Sequence, residues 1–287
     1  MLLNSFFYRG KGISPGYCRN IVNSAANSQI LYGLKTCVRD LYCEEIANKY
    51  DISERKMLRA AFRCEQGTCN EAVEIDAGMI KLSQRIEKEA LLLYGKMAFI
   101  PGKHNDILEI AEDLDTKTIK KWNDIIDDYN IKSFRQEPYE NIQEWNKNVI
   151  KQVEKTSMEL ALARTQEFKT MKLYWELKSD KINQKQALYL RLNRDRVRET
   201  IYIFKLRTGY DGSAVTLKTR HQLQGEEHEW CRRCIGHTES VKHIIDTCTN
   251  YMVGRDELQR QIQAEKEFQW CRNSMELHKI VLYADEF

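Results

Sequence analysis

The chain has 287 residues, 42% hydrophobic and 30% charged, with three prolines and thirteen glycines. This excludes a disordered or collagen-like polymer and describes a folded, helix-rich protein, long enough for two compact domains or one elongated helical body. The formal net charge of +3 hides an asymmetry: residues 164–220 carry fourteen Lys/Arg against six Asp/Glu (14 − 6 = +8), and residues 101–160 carry nine against thirteen (9 − 13 = −4). The basic stretch suits contact with phosphates, and the acidic stretch suits solvent or a protein partner.

Met1–Phe7 is apolar but short, lacks a basic start and meets Arg9 and Lys11 at once, so neither a signal peptide nor a membrane span is expected. Ile21, Val22, Ala25, Ala26, Ile30, Leu31 and Tyr32 recur at helical spacing and predict a helix over 15–38. Asp51 and Glu54, in DISE, have the form of a capping box that opens a further helix. In that helix Leu58, Ala61 and Phe62 are expected to face inward, and Arg55, Lys56, Arg59 and Arg63 outward. The run QGTCN at 66–70 breaks it. Leu82, Ile86 and Leu93 form one stripe of a helix expected to stop near Gly95, and Pro101-Gly102 then turns the chain.

From 105 to 180 the pattern stays helical, interrupted near Asn130 and Pro138. Trp122, Ile125, Ile126 and Tyr129 make one apolar face, and Trp145 and Val149 another; aromatics at this spacing read as core. Residues 185–207 predict a long amphipathic helix. Leu190, Val197, Ile201 and Phe204 are its buried stripe, and Arg191, Arg194 and Arg198, with Lys205 further along, form a basic face. That face can meet nucleic acid, or it can be an ordinary solvated surface partly neutralised by Asp195 and Glu199. Gly209, Gly212 and Ser213 then make a turn.

The run WCRRCIGHTESVKHIIDTC carries the most chemistry. Cys231, Cys234, His243 and Cys248 have the spacing C-x2-C-x8-H-x4-C. Three thiolates and one imidazole are a ligand set for a closed, tetrahedral structural zinc site, with no open position for substrate. His243 and Cys248 lie about one and a half helical turns apart, which calls for a short helix that frays or bends at its last ligand. His237 is the rival third ligand, but it would crowd three ligands into one turn; Ile244 and Ile245 flank His243 as a small core requires. The nine cysteines (18, 37, 43, 64, 69, 231, 234, 248 and 271) are odd in number. They fit an intracellular protein, nuclear or cytoplasmic, better than a secreted disulfide scaffold. Cys37, Cys43, Cys64 and Cys69 have spacings poor for a second site and read as scattered buried thiols. Tyr283-Ala284-Asp285-Glu286 has the outline of a polymerase YxDD signature, but with a single Asp it reads as coincidence.

With these residues in view, the order of elements resembles the C-terminal part of a non-LTR (LINE-type) retrotransposon reverse transcriptase. SQILYGLKTC followed by KMLRAAF is similar to the start of that family's thumb. FKLRTGYDG followed by CRRC…TESVKHIIDTC resembles its LRTG segment and terminal CCHC zinc knuckle. The likeness covers about 15–95 and 185–255. It implies an all-α fold: a thumb-like helical domain over 1–100, a helical connector of unassigned role over 101–184, a basic helix plus zinc knuckle over 185–255, and a helical tail over 256–287. It implies structural zinc on Cys231, Cys234, His243 and Cys248. RNA or DNA would meet Arg55, Lys56, Arg59, Arg63, Arg191, Arg194, Arg198, Lys205, Arg207, Arg232 and Arg233, and a polymerase palm would be a further partner. The palm's catalytic aspartates are not in this chain, so it is expected to be inactive alone. A helical scaffold whose zinc knuckle only staples one end is the competing reading.

Overall fold

The computed structural model describes residues 14–22, 24, 31, 41–99, 103–114, 116–132, 139, 141–168, 171, 174, 175, 187, 190, 197–210, 230, 231, 233, 234, 236–254, 256 and 260. Among these the fold is all-α. Its helices are α1 (Pro15–Ile21), α2 (Leu41–Ala61), α3 (Asn70–Ala77), α4 (Leu82–Phe99), α5 (Lys103–Asp113), α6 (Lys117–Asp128), α7 (Ile142–Thr165) and α8 (Val197–Arg207). A π-helical turn, His243–Thr247, and a 3-10 turn, Thr249–Tyr251, follow. None of the described helices is long and apolar enough to cross a membrane. Of the helix expected over 15–38, α1 and helical turns at Val22, Ser24 and Leu31 are described. The 101–102 turn, Pro138, the Gly212–Ser213 turn and the YADE tail lie outside the described residues.

Helix α7 packs along α3 and α4, and α4 also receives α2, α5 and α6. The pairing is driven by apolar faces. Ile125, Val149, Val153 and Leu91 are fully buried, with Ile86 and Ile126 close to it, in one cluster that runs from Cys43 to Tyr174. Residues on both sides of position 100 therefore share a single core. Trp122, Tyr129, Trp145 and Val149 lie in this core, as their helical spacing predicted. A second cluster joins Cys18 and Val22, at the N-terminal end, to Leu58, Phe62, Val73, Leu190 and Phe204. The stripe expected on 185–207 thus packs inward, although Val197 is only half-buried.

Two sequence expectations about helix ends are corrected. Asp51 and Glu54 do not open a helix; they lie within α2. Asp51 instead accepts a 2.7 Å hydrogen bond from the Leu82 backbone N–H, capping the start of α4 from another helix. Glu54 pairs with Arg85 of α4. The local pattern of a capping box was present, but its hydrogen bonds are made in tertiary space. Likewise α4 does not stop at Gly95 but runs on to Phe99. Gly95 is there for packing: a Cβ at that position would lie 2.2 Å from Cδ1 of Trp145. The indole fills this notch and donates from Nε1 to the Leu91 carbonyl at 3.0 Å.

Asp76 of α3 is the polar hub of the interior. Its Oδ1 accepts from the Tyr174 hydroxyl at 2.9 Å and from Arg207 Nη2 at 3.0 Å. Its carbonyl accepts from the Ala187 N–H at 2.9 Å. Asp76 and Arg207 side chains are both 0% exposed, and the guanidinium lies 5.7 Å from the Tyr174 ring centroid. One residue thus holds three segments distant in sequence against α3, two through its carboxylate and one through its carbonyl, and a charge this deep requires a partner such as Arg207.

Candidate metal centre

The C-terminal module is built from two short backbone pieces. Trp230 and Thr238 form an antiparallel bridge, and the Cys231 N–H donates to the His237 carbonyl at 2.7 Å. The chain reverses between them through Gly236, whose φ of 94° is a conformation that side chains rarely adopt. Ser240 then begins the helical turn: its hydroxyl accepts from the His243 N–H at 3.0 Å, the geometry of an N-cap. From His243 the turn widens into a π-helix that ends at Cys248, whose N–H donates to the His243 carbonyl at 2.8 Å. This is the bend that the five-residue step from His243 to Cys248 demanded.

The result brings Cys231, Cys234, His243 and Cys248 together. One ligand atom from each lies within 4.8 Å of the others, an arrangement that can hold a metal ion. Cys248 Sγ is 3.8 Å from both Cys231 Sγ and Cys234 Sγ, and Cys234 Sγ is 3.1 Å from His243 Nε2. Cys231, Cys248 and His243 are buried, and Cys234 is half-buried. The other ring nitrogen, Nδ1, is 2.9 Å from the Thr247 hydroxyl. With Nδ1–H donating to Thr247, Nε2 is left with its lone pair aimed at the sulfurs, the tautomer a metal ligand needs. His237 is not one of the four: it is exposed, and its ring stacks on that of His243 at 5.1 Å.

Burial raises the Cys231 thiol, but backbone N–H groups of Arg233 and Cys234 and the two neighbouring thiols outweigh it and hold the group below the ordinary cysteine range. Cys234 moves the other way, to about 11, because of desolvation and its hydrogen bonds to Cys231 and Cys248. A cation held between the thiols would favour the thiolate form of each.

The basic residues named from sequence separate into two groups. Several are turned to internal use. Arg207 is sealed in the interior on Asp76, so it is corrected from a surface contact to a core ion pair. Arg59 is half-buried: Nη1 donates to the Thr68 carbonyl at 2.6 Å and to Asn70 Oδ1 at 3.0 Å, and Nη2 to the Glu65 carbonyl at 2.5 Å, tying down the loop after α2. Arg55 is half-buried on Glu74 at 3.1 Å, and Lys205 reaches Glu65 at 3.6 Å. Lys56, Arg63, Arg198 and Arg233 are exposed. Arg191, Arg194 and Arg232 lie outside the described residues.

Sequence reasoning missed Thr247, Ser240 and Asn250, which donates from Nδ2 to the Arg233 carbonyl and braces the Cys231–Cys234 turn. Ser240 had a signal, a capping residue three positions before His243. Thr247 and Asn250 had none. Fold and site together define a helical protein carrying a Cys3His cluster. Compared with protein-family models, curated proteins and solved structures, the chain matches none.

Proposed function

We propose that this chain is a nucleic-acid-binding, C-terminal part of a non-LTR retrotransposon reverse transcriptase, built on a helical body and a structural zinc knuckle. The retrotransposon part of this reading rests on the sequence resemblance, and the observation that carries its zinc site is the spacing of the cluster. Zinc with Zn–S bonds of about 2.3 Å in tetrahedral geometry sets its sulfurs about 3.8 Å apart, which is the separation of Cys248 from both other thiols. A disulfide would need about 2.05 Å. Zinc supplies no chemistry here beyond cross-linking, because four protein ligands leave no open position.

The chain's own residues do the rest. Thr247 orients His243, Asn250 braces the turn, and the exposed Lys56, Arg63, Arg198 and Arg233 offer cations to phosphates. Such contacts give affinity that is largely independent of sequence and falls with salt. RNA or DNA is the partner, together with the palm domain that supplies polymerase chemistry.

A second reading, a helical scaffold with a stapled end, is favoured by the inward use of Arg59 and Arg207. The two separate in one experiment: zinc content with RNA and DNA binding over a salt series, for the chain and a Cys231→Ser/Cys234→Ser variant. One zinc per chain, and affinity that falls with salt and weakens in the variant, is expected. Zinc without nucleic-acid affinity moves the assignment to the scaffold, and no zinc removes the knuckle.

A further inference from the structure

Helices α2 and α4 pack together, yet they leave a cleft of about 320 Å³ between them. The side chains that face it explain the gap. From α2 come Cys43, Glu44, Ala47 and Asn48, one stripe at helical spacing, and from α4 come Ser83, Ile86 and Glu87. Cys43, Ala47 and Ser83 are short, so at this level the ridge of one helix does not fill the groove of the other. The floor is the edge of the main core, of which Cys43, Ala47 and Ile86 are buried members.

The rim is different. Glu44 and Asn48 are exposed, and Ser83 and Glu87 are half-buried. The body aims Glu87: the hydroxyl of the buried Tyr129, at the end of α6, donates to its Oε2 at 2.7 Å. A carboxylate accepts about four hydrogen bonds, so this donor orients Glu87 without filling its capacity. Among the described residues that line the cleft there are two carboxylates and no basic side chain. Three cations of the same helices are engaged elsewhere: Lys49 on Glu45 at 2.5 Å, Lys88 on Glu154 at 3.2 Å, and Arg85 on Glu54.

Size, floor and charge together select the ligand. The volume lies at the lower end of small-molecule sites, roughly 300–1,000 Å³, and is far more than a bare ion fills. Among the described residues, Cys43, Glu44 and Glu87 do not gather around one point as the Cys3His cluster does. Two carboxylates repel a phosphate, so this is not a nucleic-acid contact. The apolar floor suits a methylene stem, and the oxygens of Glu44, Glu87, Asn48 and Ser83 suit a cationic head rich in N–H donors.

We infer that the cleft between α2 and α4 binds an organic cation on an apolar stem, an alkylguanidinium or alkylammonium group. This is independent of the nucleic-acid reading and of the Cys/His cluster. The group can arrive as a free small molecule or as the arginine or lysine side chain of a protein, and the test separates these sources.

The full chain, labelled at its isoleucine and alanine methyl groups, is titrated with n-butylguanidinium, with n-butanol and with the peptide acetyl-Gly-Arg-Gly-amide, and followed by NMR. Butylguanidinium should shift the Ile86 and Ala47 methyls saturably; n-butanol, with the same stem and no charge, should not. Glu44→Gln should weaken binding about 3- to 10-fold, since its carboxylate is exposed and partly screened. Glu44→Gln combined with Glu87→Gln should abolish saturation. Asn48→Trp, at an exposed position on the mouth, should block binding and leave thermal unfolding unchanged.

A peptide that binds the same methyls at least as tightly as butylguanidinium assigns the cleft to a partner's side chain. A free cation that binds more tightly than the peptide assigns it to a small molecule. Butanol binding as tight as that of the cation overturns the inference, as does affinity that survives loss of both carboxylates in a folded chain. No saturable shift with either cation or peptide removes the site. Oligonucleotide affinity should be the same in all these variants, so the nucleic-acid reading stands or falls separately.

Discussion

The helical body and the knuckle solve the problem of stability by different means. The body buries side chains: Leu91, Ile125, Trp145, Val149 and Tyr174 are fully enclosed, and its buried charges are paired as Asp76–Arg207 and Glu54–Arg85. In the described part of the Cys/His module, the buried residues are Cys231, Glu239, His243 and Cys248, three of them members of the cluster that can hold a metal. A segment of this size encloses little apolar surface to offset its lost chain entropy, and a metal held by the cluster would supply a cross-link in its place. Val241 and Ile245 pack against the body's core but are only partly buried, so they attach the module more than they stabilise it. The difference also governs the cations. Where a core exists, arginines are drawn into it as clamps; where none exists, Arg233 and Trp230 are left on the surface.

Metal removal should break the comparison most sharply. A chelator, or Cys231→Ser, should unfold the knuckle while most of the helical circular dichroism survives, because structural zinc contributes on the order of 10 kcal/mol to such a module. Hydrogen exchange would locate the loss: protection should vanish at the Cys231 and Cys248 amides and persist in α4 and α7. Equal loss in both regions would mean that the body also depends on the metal.

The next largest effect is expected inside the body. Arg207→Ala leaves Asp76 as an unpaired buried carboxylate and should cost about 3–5 kcal/mol in denaturant unfolding. Zinc stoichiometry should not change. An exposed, phosphate-facing Arg207 would instead lose nucleic-acid affinity with stability intact.

The smallest effect concerns pH. Burial outweighs the Arg85 guanidinium and pushes the Glu54 carboxyl up to about 7, well above its ordinary value of 4.5. The folded state therefore holds this proton more tightly than the unfolded chain. The stability so gained is fully present below the unfolded value and is lost as pH rises through about 7. Wild type should lose about 1–3 kcal/mol between pH 5 and 8 relative to Glu54→Gln, whose profile should be flatter. Equilibrium unfolding at a series of pH values reads this directly. Parallel profiles would mean that Glu54 stays ionised on Arg85 throughout.

The sequence by itself determined the local facts. The apolar stripes of α2, α6, α7 and α8 were legible because a 3.6-residue period places their side chains on one face whatever they pack against. The clustering of Cys231, Cys234, His243 and Cys248 was legible because a closed site draws its donors from short, turn-compatible spacings, and the five-residue step to Cys248 already called for the bend now seen as a π-turn. Tertiary structure alone decided the partners of the charges. Asp51 and Glu54 have the local form of a capping box, yet they serve Leu82 and Arg85, thirty-one residues away. Arg207 stands in a basic run, yet a carboxylate 131 residues distant takes it inside. Gly95 looked like a helix stop until the indole of Trp145 showed what needed the space. Periodicity records which face of a helix is apolar, but a hydrogen bond or ion pair depends on which two surfaces meet, and that is fixed only when the whole core closes.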